Sequence, residues 1–338
     1  MSHIAIIGAG GWGTALGLVA GRAGHAVRLW SRNAQVVSAV NARRVNDLYL
    51  PAHELVGDVR ATGELGDAVR DARMVILAAP SHATRGLLEH MARELRAEAV
   101  IVSATKGIEI ETGQRISEVV GEVLGKELAA RFVCLSGPSF AQEVAAGQPT
   151  AVVAAGYDAR STLHVQATLS FENFRVYTNG DLAGTELGGA SKNVIALAAG
   201  MVSGMGLGTN SIAALITRGL AEITRLALAE GGRVETLAGL AGMGDLVLTC
   251  TGALSRNRYV GQELGRGRAL AEILSGMHEV AEGVRTTRAV KLLAESRQVE
   301  MPITEQVHAV LYEGKSARAA AEDLMARPLR GEFTGTGL

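Results

Sequence analysis

Short apolar runs rich in valine and isoleucine alternate with helical patterns from the N-terminus to about residue 180. Near-continuous apolar strands separated by helices are typical of a parallel sheet whose two faces are both covered by helices. The pattern therefore predicts an α/β fold with a doubly wound sheet in this part of the chain. The predicted strands are IAIIG, AVRLW, MVILAAP, AVIVSAT, FVCLSG, TAVVAAG and FRVYTN.

The strand signal stops after the sequence TNGD, and the chain becomes rich in alanine, leucine and glycine with helical spacing. Asp181 is a suitable N-cap for the first helix of this second part. We therefore predict a sheet domain over residues 1–180, an all-helical domain over residues 181–330 and a frayed tail over residues 331–338. The chain has no internal repeat or low-complexity linker, so the two domains should pack closely.

Charge and hydropathy exclude several classes of protein. The 338 residues are 20% charged with a formal net charge of -1, which gives no field that would attract nucleic acid or an anionic membrane. Residues 193–217 carry no charge, but the sequence SGMGLGTN in their middle predicts two buried helices instead of a membrane span. Residues 4–21 are also uncharged, yet glycines interrupt them and no Lys or Arg precedes them, unlike a secretory signal. We expect a cytoplasmic globular protein.

The two cysteines, Cys134 and Cys250, lie far apart and form no CxxC or Cys/His pattern. This spacing argues against a disulfide scaffold and against a metal site. We predict that both are buried, inert thiols and that the protein needs no metal.

The first predicted strand leads into the sequence GAGGWGTALG, in which Gly8, Gly10 and Gly13 form a GxGxxG pattern. Between a strand and a helix, this pattern is typical of a Rossmann-type dinucleotide site. Gly8 allows the tight turn, Gly10 lets the backbone approach a pyrophosphate, and Gly13 lets the helix lie close to the strand. Gly11 and Trp12 would border the cofactor. The alternative is a glycine turn with a structural role alone.

The residues after the second predicted strand indicate which cofactor binds. An NAD site usually has an acidic residue there for the ribose hydroxyls, but residues 1–46 contain no Asp or Glu. The strand leads instead into Ser31, Arg32 and Asn33, and the guanidinium could pair with a 2′-phosphate. We predict that NADP(H) is preferred and that NAD(H) is tolerated. Alternatively, Arg32 is a solvated surface charge.

Two further strands are followed by candidate ligand residues. Lys106 and Gly107 come after one strand, at the sheet edge where open α/β folds bind ligands, and the amine could meet a carbonyl oxygen. Gly137 and Ser139 come after another. Lys106 could also be an exposed loop lysine, and the spacing of Ser139 to Gln142 also fits a capping box.

Lys192 lies in a predicted helix among small and apolar residues. Burial disfavours a charged amine and can lower its pKa from about 10.4 towards neutrality, where it can transfer protons. Asp245 would orient the amine but would raise its pKa, and the spacing does not decide which effect is larger. Alternatively, the amine reaches solvent.

Ser255, Arg256 and Asn257 open another helical segment. A serine cap, free backbone amides and an adjacent arginine together form a compact phosphate receptor. The alternative is a simple N-cap beside a solvated arginine.

As a set, these motifs resemble the bacterial NAD(P)-dependent glycerol-3-phosphate dehydrogenase family. The resemblance covers about residues 4–290 and implies reversible reduction of dihydroxyacetone phosphate to sn-glycerol 3-phosphate, a precursor of phospholipids. The motifs that carry it are GAGGWGTALG, SATKGIE, LSGPSFAQEV, ELGGASKNVIALAAG, AGMGDLVLTCTGALSRNR and EVAEGVRTT.

The resemblance also implies roles for individual residues. Lys192 would donate and accept the proton, with Lys106 and Asp245 around the reacting carbon. The substrate would be held at its phosphate by Ser255, Arg256 and Asn257 and lined by Gly137 and Ser139. The cofactor would be bound by Gly11, Trp12, Arg32, Tyr49, Lys106, Ala141, Arg256, Val280 and Glu282. Asn33 departs from the family, which often has a basic residue there.

Two other functions stay open at this stage. A related two-domain reductase would act on a keto acid or a sugar acid phosphate. A regulatory module would bind NADPH without oxidising it, although such a module has no need of a buried lysine and a separate anion pocket. A homodimer is expected as well, but no residue pattern bears on the oligomeric state.

Overall fold

An eight-stranded sheet organises the first half of the chain in the computed structural model, which describes residues 3–277, 281–329 and 331–332. All seven predicted strands are present. The strands of the sheet are β1 (His3–Ile7), β2 (Ala26–Trp30), β5 (Val59–Thr62), β6 (Met74–Leu77), β7 (Val100–Ser103), β8 (Val133–Ser136), β9 (Thr150–Ala155) and β10 (Phe174–Asn179). A separate small hairpin pairs β3 (Val45–Asn46) with β4 (Leu50–Glu54).

The strand order is β10-β9-β8-β7-β6-β1-β2-β5. All neighbouring strands run parallel except β8 and β9, which pair antiparallel. The parallel arrangement that the apolar strands indicate therefore holds for every neighbouring pair of this sheet except this one. The connection over residues 137–149 contains only a short helix and does not cross the sheet, so β9 returns in the opposite direction.

Helices cover both faces of the sheet, which explains why its central strands are almost entirely apolar. In β1, Ile4 and Ile6 belong to one buried cluster, and Ala5 and Ile7 belong to the cluster on the opposite face. The doubly wound α/β fold is therefore confirmed. The helices of this half are α1 (Gly11–Arg22), α2 (Ala34–Arg43), α3 (Leu65–Val69), α4 (Ser81–Met91), a 3-10 turn (Ala92–Glu94), α5 (Ile116–Ala129), α6 (Ala141–Ala145) and α7 (Ala159–Leu169).

The second half is helical in its described residues. The Asp181 side chain caps its first helix by accepting the N–H of Gly184 at 2.8 Å. The helices are α8 (Leu182–Gly204), α9 (Thr209–Ala229), α10 (Val234–Ala238), a π-helical turn (Leu240–Gly244), α11 (Asp245–Thr251), α12 (Arg256–Gly265), α13 (Leu270–Ser275), α14 (Glu282–Ser296), α15 (Pro302–Tyr312) and α16 (Ala317–Met325).

Helix α8 lies at the centre of this half and is buried from Leu182 to Met201. Glycines bring it into close contact with α12. A Cβ on Gly200 would lie 2.1 Å from the carbonyl oxygen of Arg258, and a Cβ on Gly261 would lie 2.0 Å from that of Leu197. Because side-chain size sets the distance between packed helices, these glycines bring the backbone after Arg256 up against the helix that carries Lys192.

The uncharged stretch over residues 193–217 is divided between two helices, as predicted, but only the first of them is buried there: the residues of α9 up to Thr217 are exposed or half-buried, so the prediction of burial is wrong for the second helix. Helix α8 ends at Gly204, and α9 begins at Thr209. Throughout the described ranges, every helix is too short or too polar to span a bilayer.

Of the predicted tail, residues 333–338 lie outside the described residues.

Candidate active site

The turn between β1 and α1 has the shape that a dinucleotide requires. Gly8 has a φ of +118°, a conformation that favours glycine, and a Cβ on Gly13 would lie 1.9 Å from the Gly8 carbonyl oxygen. No side chain caps α1, so the first N–H groups of the helix can meet an anion. A Cβ on Gly10 would meet open space, which leaves room for a ligand against the backbone.

The side chains around this turn also fit a nicotinamide dinucleotide. The indole Nε1 of Trp12 is buried and has no hydrogen-bond partner among the described residues. Trp12, Tyr49 and Ala141 pack against the same apolar cluster beneath the turn. Gly11 and Trp12 form the first turn of α1. The residues present therefore fit a nicotinamide dinucleotide.

Asn46 supports the turn from the small hairpin and was missed by the sequence analysis. Its side chain is fully buried, and Nδ2 donates to the carbonyl oxygen of Ala9 at 2.9 Å and to Thr14 Oγ1 at 2.8 Å. Asn46 Oδ1 accepts the N–H of Tyr49 at 3.3 Å. A single asparagine in a two-residue strand of an irregular hairpin carries no recognisable spacing, so only the folded chain reveals it.

The residues after β2 lie at the same edge of the sheet. Arg32 is exposed. Asn33 is the N-cap of α2, and its Oδ1 accepts the N–H of Gln35 at 2.9 Å. Asn33 therefore has a structural role as the cap of this helix.

Four residues meet at the carboxyl edge of the sheet, and we name them the lysine–aspartate cluster: Lys106, Lys192, Asp245 and Thr249. Lys192 is 5% exposed and Asp245 is fully buried. The Lys192 ammonium forms an ion pair with Asp245 Oδ1 and donates to Thr249 Oγ1 at 2.9 Å. Thr249 in turn donates to the carbonyl oxygen of Asp245 at 2.6 Å. The amine of α8 is thus held in a fixed position.

Lys106 reaches the same carboxylate from the loop after β7. Its Nζ donates to Asp245 Oδ2 at 2.9 Å and to the carbonyl oxygen of Gly137 at 3.0 Å. It also lies 3.5 Å from Ser139 Oγ. One carboxylate from the helical half therefore binds one lysine from each half of the chain.

Two opposing effects act on the pKa of Lys192. Burial and the nearby Lys106 ammonium lower it, Asp245 raises it, and the result is a pKa of about 7. The sequence alone does not decide whether burial or Asp245 has the larger effect on this pKa. In the structure, burial has the larger effect. For Asp245, burial acts to raise the pKa, but Lys106 and Lys192 together lower it below its usual value. Asp245 therefore stays ionised while Lys192 can release its proton near neutral pH.

Ser139 is not a helix cap, so the capping-box interpretation is wrong. Helix α6 begins at Ala141, and its N-cap is Phe140, which makes no side-chain cap bond. Ser139 Oγ donates to the Gly137 carbonyl oxygen at 2.9 Å instead. The helix starts one residue later than the spacing suggests, which leaves Ser139 in the loop beside Lys106.

The predicted phosphate receptor lies at the start of α12. Ser255 is the N-cap, and its Oγ accepts the N–H of Arg258 at 3.2 Å. Arg256 is the first residue of the helix. The Asn257 side chain is buried and bonded within the protein: Nδ2 donates to Asn193 Oδ1, and Oδ1 accepts the N–H of Gly283, both at 2.9 Å.

Glu282 is the first residue of α14 and accepts the backbone N–H of Ser81, at the start of α4 in the sheet half. Burial raises the pKa of Glu282 to about 7, although the positive charge of Arg256 opposes this. Glu282 therefore lies between the two halves and near the predicted phosphate receptor. Val280 lies outside the described residues.

Sequence reasoning missed two polar residues of this region, Thr249 and Asn193. Thr249 is four residues after Asp245 on α11, and side chains at this spacing share a helix face, so the spacing could have revealed it. Asn193 follows Lys192 and donates to the carbonyl oxygen of Lys106 at 3.3 Å. Asn193 and Lys106 are far apart along the chain and meet only in the folded protein, so the sequence around Asn193 offers no signal comparable to that of Thr249.

Both cysteines are free and buried, as predicted. Burial raises the pKa of both thiols, that of Cys250 to about 12, so both stay protonated and unreactive near neutral pH. In the part of the chain that the structure describes, no three His, Cys, Asp or Glu side chains are grouped so that they could hold a metal ion.

Comparisons with known proteins cover both halves of the chain. Residues 3–162 match the family model for the N-terminus of NAD-dependent glycerol-3-phosphate dehydrogenase, and residues 181–322 match the model for its C-terminus. Glycerol-3-phosphate dehydrogenase (NAD(P)+) of Koribacter versatilis is 56% identical, over 97% of this chain and 98% of its own length. That of Geobacter sulfurreducens is 51% identical, over 98% of each. The crystal structure of glycerol-3-phosphate dehydrogenase from Coxiella burnetii has a TM-score of 0.92 and 40% identity, and covers 96% of this chain and 99% of its own.

Proposed function

Since this chain belongs to the NAD-dependent glycerol-3-phosphate dehydrogenase family, we propose that its lysine–aspartate cluster is the catalytic centre. The chain is a glycerol-3-phosphate dehydrogenase that uses NAD(P) and interconverts dihydroxyacetone phosphate and sn-glycerol 3-phosphate. One observation carries the proposed location: a single buried carboxylate, Asp245, holds Lys192 and Lys106 together beside the glycine-rich edge of the sheet.

In the proposed mechanism Lys192 is the acid of the reduction. The nicotinamide cofactor, when bound, supplies hydride to the carbonyl carbon. Lys192 donates its proton to the carbonyl oxygen as negative charge develops there, and it takes the proton back in the reverse reaction. Its pKa of about 7 suits both directions. Lys106 adds positive charge near the same oxygen, and Asp245 orients both amines.

Arg256 is the proposed centre of the phosphate grip. The backbone N–H groups at the start of α12 and the Ser255 cap support this, because a helix N-terminus attracts anions. Gly137 and Ser139, which contact the Lys106 ammonium, would line the substrate next to it. A phosphate held here orients the small ketone, so its binding energy contributes to turnover as well as to affinity.

Replacing Arg256 with alanine should lower kcat/KM for dihydroxyacetone phosphate roughly 5- to 150-fold, because a charge-assisted hydrogen bond contributes about 1–3 kcal/mol. Initial rates over a range of substrate concentrations measure this. Arg266→Ala is the matched control, because this arginine is exposed at the other end of α12 and its partner Glu263 keeps a second ion pair with Arg268. An unchanged kcat/KM for Arg256→Ala would remove this residue from the site.

We propose further that the enzyme prefers NADP(H) over NAD(H). The absence of any acidic residue in residues 1–46 and the exposed Arg32 at the end of β2 support this preference. The cofactor would be held by the glycine turn over residues 8–13 and by the side chains of Trp12, Arg32, Tyr49, Ala141, Arg256 and Glu282.

Arg32→Ala should weaken NADPH binding roughly 10- to 100-fold, as expected for a lost contact between a guanidinium and a phosphate. NADH binding should change by no more than about twofold. Quenching of Trp fluorescence on titration with each cofactor measures both dissociation constants. Arg43→Ala is the control, because this last residue of α2 forms an exposed ion pair with Asp47. Equal losses for NADPH and NADH would contradict the preference.

The activity itself is tested by adding dihydroxyacetone phosphate to the protein and either NADPH or NADH. The absorbance of the reduced nicotinamide should fall. Turnover of ketopantoate or 6-phosphogluconate, but not of dihydroxyacetone phosphate, would assign the chain to a related reductase. Tight NADPH binding without oxidation by any phosphorylated ketone would indicate a regulatory module.

Three properties of the whole protein are proposed as well. The end of β10 at Asn179 and the start of α8 at Leu182 support a domain boundary near residue 180. The sequence resemblance supports a cytoplasmic enzyme whose product enters glycerophospholipid synthesis. A homodimer is proposed on the same basis, and sedimentation of the purified protein measures its oligomeric state.

A further inference from the structure

A buried carboxylate on α8 joins the helical half to the start of α5 in the sheet half. Glu186 is 8% exposed, and it accepts the backbone N–H of Ser117 at 2.8 Å and the Ser117 hydroxyl at 2.6 Å. It also accepts a bond from Arg115 Nη1 at 3.3 Å. We name Glu186, Ser117 and Arg115 the Glu186 cluster. It shares no residue with the lysine–aspartate cluster.

The bonds of the Glu186 cluster suit a carboxylate at this position. Three donors face its two oxygens, and an ionised carboxylate can only accept. The Ser117 N–H is one of the groups at the start of α5 that have no partner within the helix, and a negative charge is favourable at that end. Burial raises the pKa of Glu186, whereas Arg115 and Ser117 oppose this rise. A break in the cluster would leave buried polar groups unpaired.

The segment that precedes Ser117 is the loop that carries Lys106. Residues 104–115 connect β7 with α5, and the loop folds back on itself, since Ile108 and Arg115 form an antiparallel bridge. Ile108 is part of a buried apolar cluster whose other buried members all belong to the helical half. The loop is therefore attached to the helical half at three points, through Lys106, Ile108 and Arg115.

The Glu186 cluster is a second connection between the two elements that carry the lysines. Glu186 and Lys192 are six residues, or about 9 Å, apart along α8. Between them, Gly189 lets α8 approach the sheet closely, because a Cβ there would lie 2.7 Å from Ser136 Oγ at the end of β8. One connection through Asp245 would leave α8 able to rotate about it. Two connections fix both the distance and the direction of the helix.

We infer that Glu186 is a positioning residue, which holds Lys192 at a fixed distance from Lys106 by attaching α8 to the start of α5. The inference rests on the proposed function, because it concerns the alignment of the proposed acid with the bound substrate. The Glu186 oxygens face Ser117 and Arg115 and not the lysine–aspartate cluster. Glu186 therefore acts through the position of α8 and of the loop after β7.

Glu186→Leu and Glu186→Gln test this inference in the full-length enzyme. Leucine removes every bond that Glu186 makes and should lower kcat for dihydroxyacetone phosphate roughly 10- to 100-fold, because a misplacement of about 1 Å can cost that much. Glutamine can keep both bonds to Ser117, since its oxygen accepts the N–H and its nitrogen donates to the hydroxyl oxygen. It should therefore keep kcat within about threefold of that of the unmodified enzyme.

Substrate and cofactor binding should change little in either variant. The proposed phosphate grip moves together with α8, because Gly200 and Gly261 pack α12 directly against it, and the glycine turn over residues 8–13 is unchanged. The KM for dihydroxyacetone phosphate, the inhibition constant of inorganic phosphate and the dissociation constant of NADPH should stay within about twofold. A loss in kcat alone is the behaviour of an interaction that matters only in the transition state.

Ser117→Ala changes the same contact from the sheet half. It removes the hydroxyl donor but keeps the N–H, so kcat should fall less, by about 3- to 10-fold. The double variant Glu186→Leu/Ser117→Ala should be no slower than Glu186→Leu alone, because the hydroxyl has already lost its acceptor. Ser117→Ala also tests the inference if Glu186→Leu does not fold.

Glu222→Leu is the matched control. Glu222 is another buried glutamate, 2% exposed, and it accepts the N–H groups of Ile303 and Thr304 at the start of α15. These bonds join α9 to α15 within the helical half. Both leucine variants should lower the melting temperature, because each leaves N–H groups at a helix start without an acceptor. Only Glu186→Leu should lower kcat.

Three results would overturn the inference. If Glu186→Leu and Ser117→Ala lower the melting temperature but leave kcat unchanged, Glu186 only stabilises the fold. If Glu186→Gln loses as much kcat as Glu186→Leu, the charge of Glu186 and not its bonds to Ser117 sets the rate. If the inhibition constant of inorganic phosphate rises while kcat is unchanged, Glu186 acts on binding. Failure of the proposed function is distinguished by the unmodified enzyme, which would then fail to oxidise NADPH with dihydroxyacetone phosphate.

Discussion

Lys192→Met should lower kcat for the reduction of dihydroxyacetone phosphate by about 10³- to 10⁴-fold, because it removes the proton donor and a positive charge next to the carbonyl oxygen. The methionine side chain has nearly the same length and suits a position that is 5% exposed. NADPH binding should be nearly intact, since the glycine turn over residues 8–13 is unchanged. Steady-state rates and fluorescence titration with NADPH measure the two effects.

The matched control is Lys291→Met, which removes a lysine from an i,i+4 ion pair with Glu295 on the surface of α14 and should leave kcat unchanged. Ordinary turnover by Lys192→Met would rule out this lysine as the acid. Loss of NADPH binding together with activity would instead point to a disturbed fold, and the far-ultraviolet circular dichroism of the variant separates these two cases.

The fold was predictable wherever burial alone decides the local structure. Seven strands were identified because both faces of the sheet are covered, which makes the sequences of most of them nearly continuous apolar runs. The edge strand β5, with the sequence VRAT, was missed because it is short and carries an exposed arginine. The direction of β9 was not predictable, since hydrophobic periodicity is the same in parallel and antiparallel strands.

The site was predictable to the level of residue type. A lysine among small apolar residues indicated an amine with a lowered pKa, and Asp245 was identified as its candidate partner. The sequence could not predict that Asp245 also binds Lys106, because the two are far apart along the chain and meet only when the halves pack. The bonds of Asn193 and Asn257 were missed for the same reason.

Asp245→Asn should lower kcat/KM at pH 7 by about 10²- to 10³-fold. The asparagine keeps the shape of the side chain but removes the negative charge between two ammonium groups. Lys192 and Lys106 would then repel each other without compensation, and the pKa of Lys192 would fall below its value of about 7. At neutral pH most of the variant would therefore lack the proton that the reduction requires.

The dependence of kcat/KM on pH provides the decisive measurement, because it reports the pKa of the free enzyme. In the unmodified enzyme, reduction should decline as pH rises through about 7, since Lys192 loses its proton, and oxidation of glycerol 3-phosphate should rise over the same range. In Asp245→Asn both transitions should move to lower pH. Asp67→Asn removes the same charge from an exposed pair with Arg70 and should leave the profile unchanged. A profile for Asp245→Asn that coincides with that of the unmodified enzyme would show that Asp245 does not set the charge of Lys192.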